Sequence, residues 1–558
     1  MTSHSSLGSV RRYPQIRAAE RALRSLYDWA AQHREGLWIV AVLTATALAH
    51  ALNMFEFPYY ENDEGTYVAQ GWAVLTGRLA PYTYWYDHAP VGWFQITAWD
   101  LLTGGFHTFG NSVESGRMLM LLFHIGSTFF LYRIARTLSG SAVAAALACL
   151  LFGLSAYGMY FHRRVLLDNI TTFWMLLSVL LLLGRPLKLR GVWLSGLALG
   201  IAILSKEVTV FVVPVMAALV WMRTSGSSRW FAIIGWIALV GSLFSLWVLM
   251  ATLQGELFAT GTLLGGTADH VSLLETLKFQ ASRGKDGGLL DLSSGFWHRA
   301  AAWFRDEPFL VLVGTVCALL SVLRIRRRPL AGMMGLLTLS LWGFLARGGE
   351  VIAFYLVPLL PLLALNVVLE GTDLARAAST WLRRREGLGT ALGYAVPALM
   401  AGVCALGPVG GYVLGGGTVI GTGTNPLVVW QSQPGVGQRQ AIAWVEANTP
   451  PDSRIIIDMY MWLDLHDTHD LAHYYWKVDQ DPAIRNGVLG NDWHNVDYVV
   501  MTDQMSYDAE VATNSLVKEA LAHSTGVALF NTGWRVEVRK VDHAADGTAP
   551  SAGVAAGL

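Results

Sequence analysis

Gly36-Leu-Trp-Ile-Val-Ala-Val-Leu-Thr-Ala-Thr-Ala-Leu-Ala-His-Ala-Leu-Asn-Met54 is followed directly by Phe-Glu-Phe-Pro-Tyr59-Tyr60-Glu61-Asn62-Asp63-Glu64-Gly65-Thr66-Tyr67. Nineteen residues without a charge give way to three carboxylates in four positions. A run of about 20 apolar residues is what an α-helix needs to cross roughly 30 Å of hydrocarbon. Acidic groups set at the end of such a run are costly in lipid and tolerable only in a wet cleft or loop. The junction therefore predicts a membrane helix that opens onto a polar surface.

Working outward, similar apolar runs recur near 36–54, 113–136, 141–160, 166–184, 190–205, 207–222, 230–252, 307–323, 330–346, 351–370 and 389–414. The fold class expected is a polytopic α-helical membrane protein with about eleven transmembrane helices. Ser205–Lys206–Glu207 reads either as a tight exoplasmic turn between two short spans or as a break in one long hydrophobic region. Composition agrees with this class. Of 558 residues 53% are hydrophobic and 14% charged, against about 25% charged in ordinary soluble chains. Lys plus Arg equals Asp plus Glu at 40 each, so no electrostatic case for nucleic acid exists. Cys149, Cys317 and Cys404 all lie in apolar runs and show neither metal-ligand spacing nor a disulfide framework.

Charge asymmetry orients the chain. With the N-terminus cytoplasmic, one set of short loops carries Arg133 and Arg136; Arg185, Lys188 and Arg190; Arg223 and Arg229; Arg324, Arg326, Arg327 and Arg328; and Arg376, Arg383, Arg384 and Arg385. The alternate loops are longer, more acidic and aromatic-rich, which is the positive-inside pattern. An odd number of spans puts the C-terminus outside the cytoplasm. Residues 1–35 form a basic lead-in too long for a cleavable signal; Tyr13 to His33 reads as an amphipathic helix on the cytoplasmic leaflet or as a solvated helix. Residues 36–414 are the membrane domain, with large exoplasmic loops at about 55–111 and 253–306. A Gly/Thr-rich linker at 415–425 leads to an exoplasmic α/β domain at 426–542 and a disordered tail at 543–558. Within that domain the sequence predicts a helix over 437–448, strands over 454–458, 497–501 and 535–541, and a helix near 510–523.

The chemistry-bearing residues gather in the outer loops. Asp63, Asp87, Asp168, Lys206 and Arg347 all fall at exoplasmic ends of helices, under an orientation assigned without them. Carboxylates, a histidine and cations on one face suit a reaction with a phosphate leaving group. Cations or a divalent metal hold the phosphate, and a carboxylate takes a proton from an incoming hydroxyl. The plain alternative is a solvated loop start and helix cap at Glu61, Asp63 and Glu64.

The Asp63–Glu64 pair, then Asp87–His88–Ala–Pro–Val–Gly–Trp93, then His162–Arg163–Arg164–Val–Leu–Leu–Asp168, Ser205–Lys206–Glu207 and Arg347–Gly–Gly–Glu350–Val–Ile–Ala–Phe–Tyr355–Leu–Val–Pro358–Leu–Leu–Pro361 occur in that order. The set resembles the C-type (GT-C) glycosyltransferases, in particular protein O-mannosyltransferases and lipid A aminoarabinose transferases, over residues 36 to about 370. The usual bacterial second motif has Lys and Pro where this chain has His88 and Ala89. The resemblance implies a membrane glycosyltransferase that moves a sugar, with inversion, from a polyprenyl-phosphate donor to a glycan, lipid or protein acceptor on the exoplasmic face of the cell membrane. Asp63 is assigned as general base and Glu64 as its fallback. His88, Arg163, Arg164, Lys206, Glu207, Arg347 and Tyr355 are assigned to the lipid phosphate and donor. Asp87, Asp168 and His270 are assigned to a divalent cation, with Mg, Mn and Zn not distinguished. The rival readings are a polytopic transporter and a non-catalytic envelope scaffold. Transporters place rare charges at the midplane of broken helices, whereas here the mid-helix stretches are almost uncharged.

Overall fold

The computed structural model describes residues 32–258, 272–282, 289–347, 351–383, 398, 402, 427–508 and 515–543. The lead-in before residue 32, all of the apolar run at 389–414 but residues 398 and 402, the linker at 415–425, His270 and all but the first residue of the tail lie outside the described residues.

The body is a set of helices: α1 (Arg34–Ala51), α2 (Asn62–Leu75), α3 (Val91–Thr103), α4 (Ser112–Ser139), α5 (Ala142–Gly153), α6 (Ala156–Phe161), α7 (Leu167–Leu182), α8 (Leu189–Ser205), α9 (Val213–Arg223), α10 (Ser228–Leu253), α11 (Leu273–Ser282), α12 (Gly295–Asp306), α13 (Gly314–Leu323), α14 (Pro329–Leu345) and α15 (Leu360–Arg383). Among the described residues, Ser112–Ser139, Ser228–Leu253 and Ala353–Trp381 are each long and apolar enough to cross a membrane. Four shorter apolar helices, α5, α7, α8 and α14, accompany them. The segments Gly295–Asp306 and Pro308–Leu323 form a pair bent by 116°, where Pro308 interrupts the helical ladder.

Local chemistry sets these boundaries. Helix α4 starts at Asn111, whose Oδ1 accepts the Glu114 amide at 2.8 Å while Glu114 Oε2 accepts the Asn111 amide at 3.1 Å, a reciprocal capping box. It stops at Gly140, which adopts the left-handed conformation at φ 71° that a helix C-terminus commonly requires. After α8 the chain turns at Lys206 into a 3-10 segment, Glu207–Val212, and then into α9. At the far end of α9, Arg223 donates to the carbonyls of Leu182 and Gly184. Helices α8 and α9 are thus antiparallel, and Ser205–Lys206–Glu207 is a turn.

The helix ends sort into two faces. On one, Arg136 pairs with Glu35 at 2.9 Å, Arg324 with Glu370 at 2.5 Å and Arg328 with Asp373, while Arg376 donates to the Ser139 carbonyl. These are the arginines expected in the short basic loops. The opposite face holds Asp168, Lys206 and the N-terminus of α2. The expected long first loop is itself structured: it contains α2 and α3, and the second contains α11 and α12.

The C-terminal unit is α/β. Helix α16 (Pro434–Asn448) and α17 (Ser515–Ala522) accompany strands β1 (Ile455–Ile457), β2 (Ala472–Tyr474), β3 (Tyr498–Thr502), β4 (Ser524–Asn531) and β5 (Arg535–Val541). The sheet order is β2-β1-β3-β5-β4. Strands β2 and β3 flank β1 in parallel, whereas β5 pairs antiparallel with both β3 and β4.

This unit is seated on the first loop. The Gln438 side chain accepts the Tyr60 amide at 2.6 Å and donates to the Tyr60 carbonyl at 2.8 Å. Asp464 accepts both the amide and the hydroxyl of Ser112 at 2.9 Å. Tyr59 stacks on Trp534 with centroids 3.5 Å apart. A Cβ on Gly65 would come within 2.4 Å of the Met459 and Tyr460 backbone, so only glycine permits this approach.

Candidate active site

Asp63 lies in the first turn of α2, half-buried, and the Tyr67 hydroxyl, one turn on, donates to its Oδ2 at 3.2 Å. Its other oxygen has no hydrogen bond among the described residues. The buried Tyr67 hydroxyl is within electrostatic reach of Asp63, Asp168, Asp87 and Tyr355. Four sequence candidates from four segments thus act electrostatically on one side chain.

Lys206 and Asp168 form a buried ion pair, with Nζ to Oδ2 at 2.5 Å. The ammonium also faces the rings of Phe354 at 4.7 Å and Tyr355 at 5.1 Å. Lys206 caps the C-terminus of α8, and Asp168 occupies the first turn of α7; each charge complements the dipole of its helix end. Arg347 stacks over Phe344 at 4.0 Å, and Phe344 touches Tyr355 with centroids 5.6 Å apart.

Beside this pair lies the Asp87–His88 segment. His88 Nδ1 meets Glu207 Oε2 at 2.9 Å, and Glu207 Oε1 accepts the Ala89 amide at 2.5 Å. The loop is thereby tied to the turn after α8. Burial pushes the Asp87 carboxyl above the usual carboxylate range, opposed by His88. Burial lowers His88, but Glu207 more than restores it, and the net movement is upward. Lys477, from the α/β unit, also acts on Asp87; no sequence pattern marks it.

Two assignments need correction. Glu64 is fully buried and bound bidentately by Arg117, at 2.9 and 2.7 Å, and it also accepts the amides of Val165 and Glu61. All its lone-pair directions are used, so it cannot serve as a fallback base. It is a structural group that ties the start of α2 to α4 and to the Val165 amide, and its partner Arg117 carries a signal visible in sequence, an arginine inside an apolar helix. Arg163 is the second. Its guanidinium donates to the carbonyls of Ala49, Leu52, Phe57 and Val429. It ties α1 to the start of the α/β unit and does not face the cluster. Arg164 does: it lies 3.9 Å from Glu61, over the rings of Tyr59 and Tyr160 at 4.5 and 4.3 Å. Burial pushes the Glu61 carboxyl up to about 8, with the charge of Asp63 adding to it.

A divalent cation fits these residues poorly as placed. Among the described residues, no group of three or more His, Cys, Asp or Glu side chains is arranged to hold a metal ion. Asp168 has Lys206 on one oxygen, although its other is buried and unpartnered.

The chain thus combines a helical body, acidic and basic groups collected at one face, and an α/β unit seated on its first loop. Residues 87–251 match the family described as dolichyl-phosphate-mannose-protein mannosyltransferase. The fold is similar to that of ArnT from Cupriavidus metallidurans in two solved structures. The one bound to undecaprenyl phosphate has a TM-score of 0.53 and 13% identity, covering 92% of this chain and 99% of that one. The apo structure has a TM-score of 0.51 and 13% identity, covering 94% and 100%. No curated protein sequence matches the chain.

Proposed function

We propose that the protein is a polytopic membrane glycosyltransferase that uses a polyprenyl-phosphate-linked sugar and works on the exoplasmic face. The observation that carries this reading is Asp63, a half-buried carboxylate with one oxygen held by Tyr67, no hydrogen bond among the described residues on the other, and Lys206 within electrostatic reach. The fold it shares with an undecaprenyl-phosphate-bound structure supports the donor class.

The donor lies with its tail in lipid and its phosphate at the membrane edge. Lys206, Arg164 and Arg347 supply positive charge there, and Tyr355 and His88 line the approach. An acceptor hydroxyl gives its proton to Asp63 as its oxygen attacks the anomeric carbon. The bond from that carbon to the phosphate oxygen breaks with inversion, and polyprenyl phosphate leaves. A positioned base of this kind contributes about 10²–10⁴-fold. No step is routed through a divalent ion at Asp87, Asp168 and His270, because Lys206 already holds one oxygen of Asp168. The test is purified protein in lipid with a radiolabelled polyprenyl-phosphate sugar, separating lipid-linked label from label on the acceptor. Transfer supports the reading; passage of an intact solute across vesicles without transfer would favour a transporter instead.

A further inference from the structure

Lys477 is 3% exposed, and among the described residues no carboxylate lies within 4 Å of its ammonium. A buried ammonium is costly unless paired and hydrogen-bonded. Here it rests over the rings of Trp476 at 4.4 Å, Trp85 at 4.8 Å and Tyr82 at 5.8 Å, and donates to the Thr83 carbonyl at 3.3 Å. Three of those four partners belong to the short segment just before Asp87.

Other groups of the α/β unit hold the same segment. Asp481 Oδ2 accepts the Thr83 amide at 3.2 Å and its hydroxyl at 3.0 Å. The Tyr82 hydroxyl meets His473 Nδ1 and the Tyr474 amide, each at 3.2 Å. Trp85 and Trp476 meet edge to face at 6.1 Å. The charged groups acting on Lys477 are Asp481 from its own unit and Asp87 from the loop.

We propose that the α/β domain is a clamp on the active-site loop and that Lys477 is its positioning residue, fixing the 82–88 segment so that Asp87 and His88 face the cleft. The inference rests on the glycosyl-transfer reading for its effect on rate, but not for the clamp itself. Burial brings the Lys477 ammonium down to about 8. Between about 8 and the unfolded value near 10.4 the unfolded chain binds the extra proton, so stability rises with pH as the cation discharges. Positioning has the opposite sign: it is lost as the cation discharges. A residue serving stability alone would show no fall in rate over that window.

The experiment is hydrogen–deuterium exchange and turnover on the full-length protein in lipid, for the parent, Lys477→Met and Lys477→Arg. Exchange at residues 82–88 is expected to rise at least tenfold in Lys477→Met with the rest of the fold unchanged. Turnover should fall about tenfold while binding of the lipid donor stays within about twofold, as expected when only a geometric effect is lost. Lys477→Arg should keep most turnover and lose the parent's decline above pH 8. Unchanged exchange in Lys477→Met, or its global unfolding, overturns the clamp. Raised exchange with undiminished turnover overturns its link to catalysis. If the parent transfers no sugar, the glycosyl-transfer reading fails while the exchange result still decides the clamp.

Discussion

At the scale of single residues, neighbouring carboxylates are separated by what each one touches. Asp63 and Glu64 are adjacent in sequence, yet one keeps an oxygen open and the other is locked on Arg117. Removing one member of a buried ion pair costs about 3–5 kcal/mol. Glu64→Gln is therefore expected to lower stability by about 3 kcal/mol, read as a drop in the thermal midpoint of protein in detergent. Activity should fall with the folded fraction rather than per folded molecule. Glu61 behaves differently. Its folded carboxyl is raised to about 8, so the native state holds a proton that the unfolded chain releases near its ordinary value. Stability contributed by that protonated form is lost as pH rises through about 8. Glu61→Gln cannot ionise and should melt higher than the parent at pH 9, with the gap closing near pH 5. An equal gap at both values would contradict the assignment. Asp63, Asp168 and Lys206 stand out in the sequence as helix-end charges against apolar runs, and the structure places them at helix termini, whereas Tyr355 is singled out by the resemblance alone. Arg163 and Arg164 could not be told apart, since nothing in two adjacent arginines says which will turn toward backbone carbonyls.

At the scale of elements, apolar runs and turn residues were enough for most of the described helices of the body. The run at 207–222 split into a 3-10 segment and α9, and that at 307–323 into a π-helical segment and α13. Helices α2 and α3 were read as loop because polar and acidic residues open the stretch, although the capping residues of α2 were present. In the α/β unit β1, β3 and β5 were legible from β-branched runs or alternation. Strand β2 was not, because Ala-His-Tyr has little strand character and is held by pairing with β1. Strand β4 is an exposed edge with a bulge between Gly526 and Ala528, so it lacks a buried face to reveal it. Contact between α2 and the α/β unit turns on Gly65. Gly65→Ala forces a methyl into the Met459 backbone; such overpacking costs about 1–3 kcal/mol. The expected signature is faster proteolytic release of the α/β unit, with the membrane body still folded. Unchanged proteolysis would mean the seam absorbs the methyl elsewhere.

At the scale of the whole molecule, the sorting of helix ends gives one face rich in arginine and another carrying the candidate site. Reporter fusions after Arg190 and Arg328 should read as cytoplasmic, and those after Gly284 and Gly423 as external; a cytoplasmic signal at Gly423 would move the site to the other leaflet. Lys206 already neutralises Asp168, so transfer is expected to persist in chelator. Loss of transfer restored by Mg, Mn or Zn would return a cation to Asp87, Asp168 and His270. Neither experiment reaches the reaction itself. The most direct test is single-turnover transfer from a polyprenyl-phosphate sugar by Asp63→Asn, which keeps the size of the side chain and the Tyr67 hydrogen bond but not the proton acceptor. The expected result is a fall of about 10²–10⁴-fold in the transfer rate with donor binding and thermal midpoint near those of the parent; full transfer by folded Asp63→Asn would contradict the assignment of the chemistry to this face of α2.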